Sequence, residues 1–133
     1  MPHKPSVLVV DDEENITRTL QLVFEREGYE VTPAYSYAEA VRILENGHTL
    51  DAVITDLNME KEDIGLEVAR VARALKPPPV VVICTGFANL KNSRRALEMH
   101  VDYLVNKPVD IEELTSALRR LIARRQYTAK RPR

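Results

Sequence analysis

Short apolar runs that stop on polar residues alternate along the chain with longer stretches whose apolar positions recur every three or four residues. Residues 7–10, Val-Leu-Val-Val, run straight into Asp11, Asp12, Glu13 and Glu14, the pattern of a buried strand opening into an acidic loop. Ile16, Leu20, Val23 and Phe24 follow at helical spacing, and Gly28 is placed to end that helix in a left-handed conformation. Residues 30–34 read as a short strand. Ser36 and Glu39 have the spacing of a capping box, opening a helix whose inner face is Ala40, Val41 and Leu44 and whose stop is Asn46-Gly47. Residues 51–55 are the next strand, which delivers Asp56 at its end.

Beyond Asp56, residues 59–63 form an acidic, polar loop. The spacing then predicts a helix over 65–75 with Leu66, Ala69, Ala72 and Leu75 facing inward, closed by Pro77-Pro78-Pro79 because proline cannot donate to the helix ladder. Residues 80–84 are the most apolar stretch and predict a central strand ending at Thr85-Gly86. A helix falls within 90–99, with Asn89, Asn92 and Ser93 all competing to start it. Residues 102–105 are a last short strand, ending at Asn106-Lys107-Pro108. Asp110 and Glu113 make a second capping-box pair, followed by the amphipathic stripe Ile111, Leu114, Leu118, Leu121 and Ile122. Five strands alternating with five helices imply right-handed crossovers and a doubly wound parallel α/β sheet covered on both faces. Ligands of such sheets gather at the carboxyl ends of the strands, where the strand order reverses.

Length and composition narrow this picture. At 133 residues and 44% hydrophobic, the chain suits one domain, expected over 1–125, with 126–133 as a basic tail or linker. A formal net charge of -1 gives the whole chain no footprint for nucleic acid or an anionic membrane. Seven basic residues among 119–133 are read as a solvated helix end favoured by the helix dipole. The single cysteine, Cys84, lies in an apolar run, so it is expected in the core of a protein from a reducing compartment. No apolar stretch nears the roughly 18 residues of a membrane span, and the first residues lack the apolar segment of a signal peptide. A cytoplasmic location is therefore expected. His3, His48 and His100 show no ligand spacing and are taken as surface residues.

The carboxyl edge collects the chemistry. Asp11, Asp12, Asp56, Thr85 and Lys107 all fall at strand ends there, giving three carboxylates, a hydroxyl and an ammonium in one shallow cleft. Clustered carboxylates repel one another and call for a cation, and hard oxygen donors favour Mg²⁺ or Mn²⁺ over zinc. A divalent ion, a lysine and a hydroxyl donor also meet the needs of a transferring phosphoryl group, with the neighbouring aspartate as nucleophile.

Val-Val-Asp-Asp-Glu at 9–13, Thr-Asp-Leu-Asn-Met at 55–59, Thr-Gly at 85–86 and Lys-Pro at 107–108, in this order and spacing, strongly resemble the receiver domain of two-component response regulators, in the manner of the chemotaxis regulator. The resemblance covers residues 6 to about 125. It implies a flavodoxin-like (βα)5 fold with strand order 2-1-3-4-5. It implies that Asp56 accepts a phosphoryl group from a sensor histidine kinase or phosphotransfer protein. Asp12 and Asp56 would supply side-chain ligands to Mg²⁺, Asn58 its backbone carbonyl, and Asp11 would act through a water. Thr85 would hydrogen-bond one phosphoryl oxygen, Lys107 would pair with another, and the peptide before Pro108 would be cis. Such a domain is a phosphoacceptor switch that catalyses its own phosphorylation and dephosphorylation rather than an enzyme acting on other substrates. Its downstream partner, or a second copy, would bind through helix 4, strand 5 and helix 5.

Three departures from the family pattern stand out. The loop after the acceptor usually has proline four residues on and glycine eight on, where this chain has Glu60 and Ile64, with Gly65 one residue late. The aromatic switch position three before the lysine is Leu104, with Tyr103 beside it; successive strand residues face opposite ways, so Tyr103 is expected on the other side of the strand. Activation would then work mainly through backbone movement at 85–88. Phe87, two after the threonine, is a bulky residue at a position that influences phosphoaspartate hydrolysis in the family.

Other functions fit less well. A phosphohydrolase of the haloacid dehalogenase type would need a second aspartate where Asn58 stands. A flavodoxin-like cofactor carrier would need a phosphate-binding loop after the first strand. A pseudo-receiver that binds partners without phosphorylation is the alternative left by the fold, against which the intact acidic pair, Asp56, Thr85 and Lys107 argue.

Overall fold

The apolar runs fold as strands covered on both faces. Val7, Leu8, Val9 and Val10 are each at most 1% exposed, and they divide alternately: Val7 and Val9 point into one core, Leu8 and Val10 into the other. In the computed structural model, which describes residues 4–47, 49–86 and 89–130, the strands are β1 (Ser6–Val10), β2 (Glu30–Ala34), β3 (Ala52–Asp56), β4 (Val80–Thr85) and β5 (Tyr103–Asn106). The helices between and after them are α1 (Glu14–Arg26), α2 (Tyr37–Glu45), α3 (Ile64–Arg73), α4 (Leu90–Glu98) and α5 (Ile111–Lys130). All strand pairs are parallel, in the order β2-β1-β3-β4-β5, as expected.

One core lies between the sheet and α1 and α5, built on Leu20, Phe24, Leu114, Leu118 and Ile122. The other lies beneath α2, α3 and α4, built on Ala40, Leu44, Leu66, Ala69, Ala72 and Ala96. Each fully buried leucine or valine contributes about 1.5–3 kcal/mol relative to exposure, so the two cores fix which face of every strand points where. On α2 the inner face differs from the expectation in one residue. Ile43, not Val41, packs against the core, because the helix is turned by the docking of Ala40 and Leu44.

Helix ends follow their local signals. Gly28 takes φ +96, and the N–H of Tyr29 reaches back to the carbonyl of Phe24 at 3.0 Å, closing α1 as glycine permits. Ser36 accepts from the N–H of Glu39. Asn89 and Asn92 resolve the start of α4 by forming a reciprocal capping box. α5 runs on through Lys130, past residue 125. The third strand begins one residue later than expected and takes in Asp56, and β5 is Tyr103–Asn106, because Asp102 turns its carboxylate to accept from the N–H of Val81 at 2.8 Å.

Candidate functional site

Reversal of the strand order between β1 and β3 opens a crevice at their carboxyl ends. β1 ends at Val10, so Asp11 and Asp12 enter the loop directly above it; β3 ends on Asp56. Asp11, Asp12 and Asp56 each bring a carboxylate oxygen to within 4.8 Å of the others. Asp11 and Asp56 are buried, while Asp12 is exposed. From the far side, the residue after β5 extends its side chain over the crevice: Lys107 Nζ lies 3.1 Å from Asp56 Oδ1 and 3.5 Å from Asp11 Oδ2. Thr85 ends β4, is 1% exposed, and its carbonyl accepts from the N–H of Lys107 at 2.8 Å. The peptide between Lys107 and Pro108 is cis, as expected. The structure thus brings together Asp11, Asp12, Asp56, Thr85 and Lys107.

The charges are held against their preference for water. Burial pushes the Asp11 carboxyl above the usual carboxylate range, against the pull of the Glu13 N–H and of Lys107. Burial also raises Asp56, opposed by the hydrogen bond from Lys107 and reinforced by the charge of Asp11. Burial alone would lower Lys107, but the hydrogen bond to Asp56 and the charges of Asp56 and Asp11 outweigh it, so its ammonium is held above the ordinary lysine range. Cys84, the Cα partner of Asp56 across the β3–β4 ladder, sits beside the site. Its thiol belongs to the core and burial pushes it up to about 12, so it offers no thiolate to a cation. The donor set is therefore oxygen only, which suits a hard divalent ion.

The loop after Asp56 carries Asn58, whose side-chain oxygen is engaged within the loop: its Oδ1 accepts from the N–H of Asp63 at 2.6 Å. Gly65, one residue late against the family pattern, still makes a close approach. A Cβ there would stand 2.2 Å from the carbonyl oxygen of Asp56 and 2.8 Å from Cα of Leu57. Just before α3, Asp63 takes φ 59 in the left-handed region. Tyr103 packs with the α1–α5 core and Leu104 with the α2–α4 core, so they do face opposite sides of β5. The Tyr103 hydroxyl donates to Glu113 Oε1 at 2.7 Å. Phe87, Ala88, His3 and His48 lie outside the described residues; His100 is exposed.

Two supporting residues were not foreseen. Thr17, fully buried on α1, donates its hydroxyl to the carbonyl of Asp11 at 3.0 Å, anchoring the acidic loop; its signal was a hydroxyl placed three residues before Leu20 on the inner face. Glu60 accepts from the N–H of Tyr37 across 23 positions, which no local pattern could reveal.

A family model described as "Response regulator receiver domain" matches residues 7–119. Transcriptional regulatory protein GlrR of Escherichia coli (strain K12) is 34% identical over 119 residues, covering 89% of this chain and 26% of that protein. Response regulator ArlR of Staphylococcus aureus (strain MW2) is 31% identical over 119 residues, covering 89% of this chain and 52% of that protein. The chain thus spans between a quarter and about half the length of these relatives. Among solved structures, the CheY-like receiver domain protein from Methanospirillum hungatei JF-1 superposes with a TM-score of 0.88 at 26% identity, over 94% of this chain and 98% of that one. The receiver domain protein from Clostridium thermocellum gives 0.83 at 33% identity, over 93% and 98%.

Proposed function

Because this chain belongs to the response regulator receiver domain family, whose general function is to be phosphorylated on an aspartate, we propose that Asp56 is the acceptor here. The observation that carries this assignment is the position of Asp56 at the end of β3, 3.1 Å from the Lys107 ammonium and grouped with Asp11 and Asp12. In the transfer from a phosphohistidine, an Asp56 carboxylate oxygen attacks phosphorus. An O–P bond forms as the P–N bond breaks, and the imidazole leaves with its electron pair and takes up a proton. Lys107 pairs with one phosphoryl oxygen and the Thr85 hydroxyl donates to another. The Asp12 and Asp56 side chains and the Asn58 carbonyl would hold Mg²⁺, or Mn²⁺, with Asp11 acting through a water, and a divalent ion held there would supply neutralisation of charge on the phosphoryl oxygens. Water later attacks the same phosphorus, returning Asp56 and releasing phosphate, so the domain turns its own switch on and off.

The donor is a sensor histidine kinase or phosphotransfer protein. An apolar groove lined by Ile16, Leu20, Pro108, Val109 and Ile111 runs beside Lys107 and supports docking of the donor's histidine-bearing helix next to Asp56. The output face is α4, β5 and α5, taken by a downstream protein or a second copy; Leu90 and Leu97 stand exposed on α4 at 77% and 76% and support that reading. The receiver unit covers 1–125, with 126–133 as a basic extension. A cytoplasmic setting suits the free, buried Cys84, and among the described residues no helix is long and apolar enough to cross a membrane.

Acetyl phosphate with Mg²⁺ tests the assignment. One acid-labile phosphoryl group is expected on the wild type and none on Asp56→Asn. Undiminished label in that variant, or full labelling in excess chelator, would overturn it.

A further inference from the structure

The loop that bears the Asn58 carbonyl is tied to a helix outside the site. Its base is pinned by two backbone hydrogen bonds: Leu57 donates to the carbonyl of Cys84 at 2.8 Å, and Gly65 donates to the carbonyl of Leu57 at 2.8 Å. Its tip holds Glu60, whose two carboxylate oxygens lie 3.1 and 3.4 Å from the N–H of Tyr37. Tyr37 is the first residue of α2, so its N–H has no partner within the helix, and Ser36 already serves the N–H of Glu39 at 3.2 Å. A carboxylate at that end also meets the positive pole of the helix. The loop following Asp56 therefore completes the cap of α2, and α2 in return holds the loop tip.

We propose that Glu60 is a positioning residue: by gripping the Tyr37 N–H it fixes the loop that presents the Asn58 carbonyl, and so couples cation binding at Asp12 and Asp56 to the order of the first turn of α2. This rests on the reading of the site as a Mg²⁺-dependent phosphoacceptor. Coupling of this kind is reciprocal. A bound cation that orders the loop must also protect the Tyr37 amide, and loss of the grip must weaken the cation.

The test compares the wild type with Glu60→Ala and Glu60→Gln, the second keeping an acceptor oxygen but no charge. Mg²⁺ affinity is measured by calorimetric titration, and exchange of the Tyr37 amide by NMR with and without Mg²⁺. Glu60→Ala is expected to weaken Mg²⁺ binding about two- to tenfold, the net worth of one hydrogen bond, and to speed exchange at Tyr37. Mg²⁺ should slow that exchange in the wild type but not in Glu60→Ala, and Glu60→Gln should recover most of both effects. Equal Mg²⁺ affinity in Glu60→Ala and wild type overturns the proposal. So does a Glu60→Gln variant as weak as Glu60→Ala, which would make the effect one of charge alone, or a wild-type Tyr37 amide indifferent to Mg²⁺. A wild type that binds no Mg²⁺ at all sinks the reading of the site as well, which separates the two failures.

Discussion

Lys107 holds its ammonium 3.1 Å from Asp56 Oδ1 while also reaching Asp11 Oδ2 at 3.5 Å, so a single cation of the chain serves two buried carboxylates with Asp12 close by. That excess of negative charge favours a bound cation. It also makes the site a source of instability in the absence of ligand.

The first prediction follows from the raised carboxyl groups. Asp11 and Asp56 are both pushed above their ordinary value of 3.8, chiefly by burial. The folded state therefore holds protons that the unfolded chain releases. This contribution to stability is complete below 3.8 and is lost as pH rises through the folded values. The contribution of Lys107, raised above 10.5, persists until the pH exceeds that value. In chelator at pH 7, Asp56→Asn should be more stable than the wild type by about 0.5–2 kcal/mol, with the gap closing toward pH 4. Adding Mg²⁺ should stabilise the wild type more than the variant. Urea denaturation across this pH range measures it; a gap that widens on acidification contradicts the account.

Gly65 gives the second. A methyl group there would meet the backbone of Asp56 at 2.2 Å, and a backbone atom cannot swing aside as a side chain can. Gly65→Ala should cost about 1–3 kcal/mol or more and slow labelling by acetyl phosphate, because relief of the clash moves the acceptor strand. An unchanged urea midpoint would show that the loop can shift freely.

The third concerns transmission. Thr85→Ala should still be phosphorylated but should lose much of the change in hydrogen exchange across residues 90–125, since the hydroxyl proposed to donate to a phosphoryl oxygen is gone. Tyr103→Phe should leave partner binding or dimerisation intact. Its hydroxyl bonds an exposed glutamate on the α5 side, and the side chain shares no core with Leu104. A Tyr103→Phe variant that fails to engage its partner would place the tyrosine in the switch after all.

Cys84 supplies the fourth. With its thiol pushed up to about 12 by burial, it should resist alkylation at pH 8 in the folded protein and react readily once the chain is unfolded in guanidinium. Rapid labelling of the native protein at that pH would mean that β4 opens locally.

Much of this architecture was legible in local pattern. The runs at 7–10 and 80–84 announced strands buried on both faces because they are apolar throughout, with no alternating polar position to face water, and the periodic stripes of α1 and α5 announced helices packed on one side. The site residues were legible because each stood where an apolar run ended. Element edges were less so. Asp102 was read into β5, yet its carboxylate is taken by the N–H of Val81, a partner 21 positions away. Ile43 replaces Val41 at the core because the rotation of α2 is set by what it packs against.

By itself, the sequence determined the alternation of strands and helices, the parallel sheet that alternation requires, and the chemical character of the carboxyl edge. These depend on periodicity, on caps and on the charge of single residues, all of which act within a few positions. Only the tertiary structure decided that Gly65 closes on the Asp56 carbonyl in spite of its late position, that Thr17 anchors Asp11, and that Glu60 grips α2. Those relations depend on segments brought together by burial of the two cores, and a hydrogen bond across 23 residues leaves no periodic trace in the chain that makes it.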